Sequence, residues 1–395
     1  MNKNKKKSTE LIIKTIFINF IESEKSGGVV LIFFTLAAIG IANSIFGSTF
    51  IHFWHTEVLG MSMEHWVNDG LMTIFFLLIG LELEREIYIG ELSDIKNALL
   101  PIIAAVGGMV IPAGIHLFFN YGSLTQAGAG IPMATDIAFS LGILSLFGKK
   151  VPFSLKVFLT ALAIADDLGA VAVIAIFYTD NFSLVHLLIA MGIYAILFIM
   201  GRMQVLILFP YLVLGAVMWY FMLQSGVHAT VTGVLLAFAI PFGTEAKLSD
   251  NLQHFLHKPV AFIVLPIFAL ANTCIVIHSN WYESLLEPNS IGILLGLVIG
   301  KPVGILLFCA GAIGLKVCTL PEDTTWRHII GAGLLAGIGF TMSIFVAILA
   351  FSDPNLINFS QIVVLTASLL AGVLGAIWFI FFISENRDIQ NEKHT

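Results

Sequence analysis

Charge is what this 395-residue chain has least of: Asp, Glu, Lys and Arg together make up 11%, against about a quarter in a soluble globular protein. With 58% hydrophobic residues and a mean hydropathy of +0.96, a soluble fold is excluded and a polytopic membrane protein is expected. Cysteine is scarce as well. Cys274, Cys309 and Cys318 stand in or near apolar runs without CxxC spacing, which excludes a zinc module or a disulfide framework and leaves them as packing residues. No cofactor is expected, and no basic surface suggests nucleic acid. The first ten residues, MNKNKKKSTE, have the basic start of a signal peptide, but no small-residue cleavage site follows a short apolar core. Residues 1–25 are read as an uncleaved cytoplasmic segment.

Basic residues are also missing from every second loop. Apolar runs beginning near Ser26, Trp66, Ala98, Gln126, Pro152, Phe182, Val205, Gly226, Pro259, Ser290, His328 and Phe359 make twelve expected spans. The loops at 46–65, 119–125, 178–182, 222–227, 278–289 and 352–358 contain no Lys or Arg. Of 19 basic residues, all but one fall on the other set of connections and the termini. Under the positive-inside rule this places both termini in the cytoplasm.

Two apolar runs carry charge at their middle. Asp166 and Asp167 are tenth and eleventh in the 22-residue run 157–178, which has no other charge. The remaining basic residue, Lys301, is eleventh in the 20-residue run 291–310. About 20 apolar residues span a bilayer, so all three lie near the midplane. A charge there costs about 2.5–3.5 kcal/mol even on the most lenient scale, and it marks function by default. Pro302 follows Lys301 and is expected to free backbone carbonyls locally.

Two further spans are expected to break. Run 126–148 carries Gly128, Gly130 and Pro132, then Thr135 and Asp136; run 331–348 carries Gly331, Gly333, Gly337 and Gly339. As the fourth and eleventh spans they are the middle members of two triplets, about 98–178 and 290–384, which suggests an inverted repeat with a transport site at the breaks. Glycines for tight helix packing are the alternative.

Collected, Thr135, Asp136, Asp166, Asp167 and Lys301 are an oxygen-rich set with one ammonium, suited to a small hard cation. Adjacent helical residues point about 100° apart, so Asp166 and Asp167 divide the work: one faces an aqueous cavity while the other turns to a partner, and Lys301 is the basic candidate. Asp136 and Lys301 can neutralise opposite ends of crossing half-helices; for Asp136 a plain N-cap is the alternative. A proton and a metal ion competing for one carboxylate, reached from one side at a time, give exchange.

The strings GIPMATDIAFSLG, ALAIADDLGA, SGVHATVTGV, LPIFALAN, GKPVGI and AGIGFTMSIF, in this order, closely resemble the NhaA family of bacterial sodium/proton antiporters, from about Ser26 to the last span. The resemblance implies an all-α polytopic fold of about twelve transmembrane helices. Two inverted three-helix repeats would form a core, with helices four and eleven discontinuous and the rest a panel. Residues 26–384 would be a single transmembrane domain and 385–395 a cytoplasmic tail. It implies pH-regulated, electrogenic exchange of protons for sodium or lithium by alternating access in the bacterial inner membrane. Asp167 would be the main cation and proton ligand, Asp166 the second acid held by Lys301, and Thr135 and Asp136 would lie at the helix crossing. Glu82, Arg85 and Glu86 match a pH-responsive cluster at the cytoplasmic mouth, and His228, His254 and His257 match positions linked to pH response. Glu84 stands where a basic residue is usual and Gln253 where an acid is usual. A homodimer is implied too, but the outward loop 44–66 is shorter than in the best-known members, where a hairpin there joins two protomers.

Two other classes fit the sequence less well. An intramembrane aspartyl protease would pair two acids such as Asp136 and Asp167, but the GxGD string is missing and Lys301 would compete with a shared proton. A channel or organic-anion symporter would need more basic or amide groups at this depth than Lys301.

Overall fold

The computed structural model of the chain describes residues 24–90, 93, 95–148, 151–178, 182–243, 247–277, 282 and 284–384. The N-terminal segment to residue 23, the tail from 385, and Lys149 and Lys150 lie outside the described residues, and with them the cytoplasmic placement expected for both termini.

The fold is all-α and polytopic. In chain order the helices are α1 (Glu24–Ala42), α2 (Gly47–His55), α3 (Met63–Tyr88), α4 (Ile95–Asn120), α5 (Ile137–Leu146), α6 (Phe153–Phe177), α7 (Leu184–Arg202), α8 (Leu208–Gln224), α9 (Val231–Ala239), α10 (Leu248–Asn272), α11 (Pro288–Gly314), α12 (Trp326–Ala336), α13 (Phe340–Ala350) and α14 (Pro354–Ser384). Between α2 and α3 a two-stranded hairpin pairs β1 (Glu57–Val58) with β2 (Met61–Ser62). Leu59 and Gly60, at φ 53° and 86°, supply the two positive-φ turn residues that a tight hairpin needs. The short loop expected between the first two spans therefore holds a hairpin of its own.

Among the described residues, eight helices are long and apolar enough to cross a membrane, ten if each of two bent pairs is one span. Twelve spans were expected. The difference lies at α8, of 17 residues, and α9, of 9 residues. Helix α9 ends early because Ile240 is extended, at ψ 134°, ahead of Pro241, whose ring disfavours helical geometry in the residue before it.

Packing sorts the helices into two groups. In one, α3 packs on α9 and α10, α7 on α8 and α9, and α1 on α10; in the other, α4 packs on α11 and α6, and α14 on α12, α11 and α13; between the groups α1 packs on α5, α3 on α6 and α10 on α13. The tightest crossing is α4 on α11. A Cβ on Gly107 would strike the Gly304 carbonyl oxygen, and one on Gly304 would strike that of Gly107, so only glycine lets the two backbones approach this closely. This crossing lies three residues, less than one turn, from Lys301.

Two segments interrupt the second group. Residues Leu124–Met133 form a 3-10 stretch, Ala134 is extended at ψ 152°, and α5 starts only after Asp136. Between α12 and α13 the chain bends by 46° at residues 337–339. Helix α11 also departs from regular geometry: Gly296–Gly300 is a π turn immediately before Lys301. Pro302 has no N–H to donate, and the wider turn is where the ladder adjusts. Large apolar side chains on α7, α8 and α14, such as Ile196, Phe209, Leu369 and Phe381, are exposed, which suits a surface bathed in hydrocarbon.

Candidate cation site

The two interruptions meet. The Asp136 amide donates to the Ile338 carbonyl at 2.6 Å, which joins the gap before α5 to the bend between α12 and α13. From this junction the site assembles around three carboxylates, one ammonium and two hydroxyls, nearly all excluded from solvent.

Asp136 works at the start of two helices. Its Oδ1 accepts from the Phe139 amide at 3.2 Å, an N-cap of α5. Its Oδ2 accepts from the Thr341 amide at 3.1 Å and the Thr341 hydroxyl at 2.6 Å, in the first turn of α13. Each helix start carries unpaired N–H groups and a partial positive charge, and one carboxylate answers both. Of the two alternatives open in the sequence, the N-cap is present in the structure.

Lys301 serves the opposite polarity. Its Nζ lies 2.9 Å from Asp166 Oδ2, both side chains fully buried, and it also donates to the Met133 carbonyl, at the end of the 3-10 stretch where carbonyls lack helical partners. Thr135 completes the set, its hydroxyl lying 2.7 Å from Asp166 Oδ2 and 3.0 Å from the Ala336 carbonyl. Asp166 Oδ2 is thus held by an ammonium and a hydroxyl.

Asp167 has no ion pair of the kind that holds its neighbour among the described residues. It sits on α6 with 1% exposure, and its Oδ1 has no hydrogen-bond partner; the same is true of Asp166 Oδ1. Buried polar atoms normally have partners, and two unanswered carboxylate oxygens on successive residues have the chemistry to take up a proton or a small cation. Among the described residues no group of three or more His, Cys, Asp or Glu is arranged to hold a metal ion. A protease-like dyad has no counterpart here, because Asp136 is committed to α5 and α13.

The residues matched to pH response do not gather in one place. Glu82 lies on the last turns of α3 and within electrostatic reach of Asp167, with Arg85 and Glu86 close enough to act on it. Ser249 donates to Glu84 Oε2 at 3.4 Å, which ties this end of α3 to the start of α10, where His254 and His257 are exposed. Gln253 is buried on the same stretch. His228 is elsewhere: its Nε2 lies 2.8 Å from the Tyr178 carbonyl, just past the far end of α6.

Several residues carry no charge and escaped the sequence reading. Thr341 is one; Ser343, whose hydroxyl donates to the Ile131 carbonyl at 2.7 Å, is another. Both hydroxyls stand in AGIGFTMSIF, and a hydroxyl pair just after a glycine break was the available signal. Tyr178 is a third, its hydroxyl donating to the Ala127 carbonyl at 2.6 Å.

Comparison with known proteins identifies the family. A family model described as Na+/H+ antiporter 1 matches residues 18–379. The chain is 59% identical over 374 residues to Na(+)/H(+) antiporter NhaA 1 of Flavobacterium johnsoniae, covering 94% of this chain and 98% of the relative. It is 60% identical to Na(+)/H(+) antiporter NhaA of Cytophaga hutchinsonii, over 94% and 97% of the two chains. With the protein of that name from Flavobacterium psychrophilum the identity is 57%, over 96% and 100%. A match over most of the chain and relatives above half identity leave one conclusion: the chain belongs to the NhaA family of Na+/H+ antiporters and is a transporter, not an enzyme.

Proposed function

We propose that the protein exchanges protons for sodium or lithium across the bacterial inner membrane, with Asp167 as the carboxylate for which proton and cation compete. The observation that carries this reading is the asymmetry of the acid pair. Each acid keeps one unanswered buried oxygen, but Asp166 Oδ2 is occupied by Lys301 and Thr135, whereas no hydrogen bond among the described residues engages the Asp167 carboxylate. Asp166, through its second oxygen, and Thr135 are the neighbouring ligands, and water or backbone carbonyls complete a shell for a hard monovalent ion.

Loading a cation on Asp167 requires that its proton has left, and loading a proton requires that the cation has left. If each is possible from one face at a time, exchange follows without a leak. Release of more than one proton per cation would make the cycle electrogenic, as the family resemblance implies. The reading of the chain as twelve spans with two inverted repeats counts α8 and α9 as spans and each interrupted pair as one. On it, the group with α4–α6 and α11–α14 is the core that moves the site, and the group with α1, α3 and α7–α10 is the panel. The Lys- and Arg-free loops then face outward, with both termini in the cytoplasm. Glu82, Arg85, Glu86, His254 and His257 at the cytoplasmic end, with His228, are proposed to set the pH response. The β1–β2 hairpin is proposed as the contact of a homodimer.

The test is sodium- or lithium-driven proton release in everted vesicles carrying Asp167→Asn. Lost exchange with normal amounts of folded protein is expected; wild-type exchange by the variant would sink the assignment.

A further inference from the structure

Tyr178 is the first residue past α6, and it is bonded in two directions. Its hydroxyl donates to the Ala127 carbonyl in the 3-10 stretch at 2.6 Å. That seat exists because residue 130 is glycine: a Cβ there would come within 2.6 Å of the Tyr178 oxygen. Burial pushes the phenol up to about 12, so the hydroxyl remains a donor throughout the physiological range. Tyr178 therefore ties the end of the helix carrying Asp166 and Asp167 to the segment that leads into Thr135 and Asp136.

The second bond leaves this group of helices. The Tyr178 carbonyl accepts from His228 Nε2 at 2.8 Å; a carbonyl has no proton to give, so Nε2 carries it. His228 is itself held by its surroundings. The preceding loop is fixed by the Ser183 amide donating to the Ser225 carbonyl at 2.9 Å and by the Ser225 hydroxyl accepting from the Val227 amide at 3.2 Å. The following helix, α9, packs on α3. The contact thus bridges the two packing groups at the end free of Lys and Arg, where another polar bridge between described residues, the Asn358 side chain to the Val276 carbonyl at 3.1 Å, also lies.

We propose that the His228–Tyr178 contact is a latch holding the outward end of the site shut, and that Tyr178 is the positioning residue that makes both parts of the cation site respond to it together. This rests on the exchange reading above. With the latch made, α6 and the 3-10 stretch are pinned against the α3–α9 group. With it released, both swing as one, because the Tyr178 hydroxyl links them.

The test uses the full-length protein in right-side-out and everted vesicles, with the KM for sodium and kcat read from each face and thermal melting in detergent alongside. A ligand's apparent affinity scales with the fraction of protein in the competent state, and one hydrogen bond is worth about a two- to tenfold shift in such an equilibrium. His228→Ala is expected to lower the outward-face KM and raise the inward-face KM so that their ratio shifts by about that factor, with melting near wild type. Tyr178→Phe keeps the latch but cuts the tie to Ala127; kcat is expected to fall while the difference between the two faces persists. Equal KM changes at both faces, or none, in His228→Ala would overturn the latch. Wild-type kinetics in Tyr178→Phe would remove its positioning role. Absence of exchange in the wild-type protein would instead strike the exchange reading.

Discussion

Lys301 Nζ and Asp166 Oδ2 stand 2.9 Å apart with neither side chain reaching solvent. Such a pair is costly to bury and costlier to halve. Removing one partner leaves an uncompensated charge, typically at about 3–5 kcal/mol, whereas replacing both by apolar or neutral groups is often near neutral. Lys301→Ala is therefore expected to lower the melting temperature strongly, and Lys301→Met with Asp166→Asn to recover most of it. A double variant no more stable than Lys301→Ala would mean that the ammonium is needed chiefly by the Met133 carbonyl.

Asp136 supports two helix starts at once, and its substitutions separate capping from charge. Asp136→Ala loses the bonds to Phe139 and Thr341 and is expected to cost about 1–3 kcal/mol. Asp136→Asn retains an acceptor for either helix and is expected to melt closer to wild type while exchanging ions more slowly, because the half-charges at the two helix ends lose their counterpart. Equal melting of the two variants would remove the capping argument.

The Gly107–Gly304 crossing makes a prediction at a site with no polar chemistry. Gly304→Ala places a methyl against the Gly107 carbonyl, and overpacking of this kind costs about 1–3 kcal/mol. Because Lys301 lies less than one turn away on the same helix, lost transport is expected together with the lower melting temperature. Full activity in a variant with reduced stability would show that α11 can shift without moving the ammonium.

Tyr178 carries a pH signature of its own. Its phenol is raised from 10.0 to about 12 by burial, so its contribution to stability is complete below pH 10 and is lost as pH rises from 10 toward 12, when the unfolded chain gives up a proton that the folded chain keeps. In melting curves collected from pH 8 to 11.5, the wild-type protein is expected to lose stability above pH 10 more steeply than Tyr178→Phe. Parallel curves would mean that the hydroxyl is open to water.

How much of this was legible in the sequence follows from what charge can and cannot mark. An all-α polytopic fold, and Asp166, Asp167 and Lys301 as buried groups in need of partners, could be read because a charge in an apolar run is conspicuous. The breaks near Thr135 and Gly337 could be read from glycine and proline. The partners of those groups could not: the Met133, Ala336 and Ile338 carbonyls belong to the backbone, and Thr341 and Ser343 are small hydroxyls in an apolar stretch. The short α9 was hidden too, since apolar residues on either side of its end continue the hydropathy signal past the point where the helix stops. His228 shows a different limit, because its place beside Tyr178 depends on how α9 packs on α3, which no local pattern encodes.

The bond between Asp136 and Thr341 joins residues 205 positions apart. During synthesis, the first half of the chain is in the membrane long before the second exists, and contacts this distant in sequence form late. Until α11 arrives Asp166 lacks Lys301, and until α13 arrives Asp136 lacks its second helix, so a partly made chain lacks the partners of both acids. A chain truncated before α11 is therefore expected to give no sodium-driven proton release in everted vesicles.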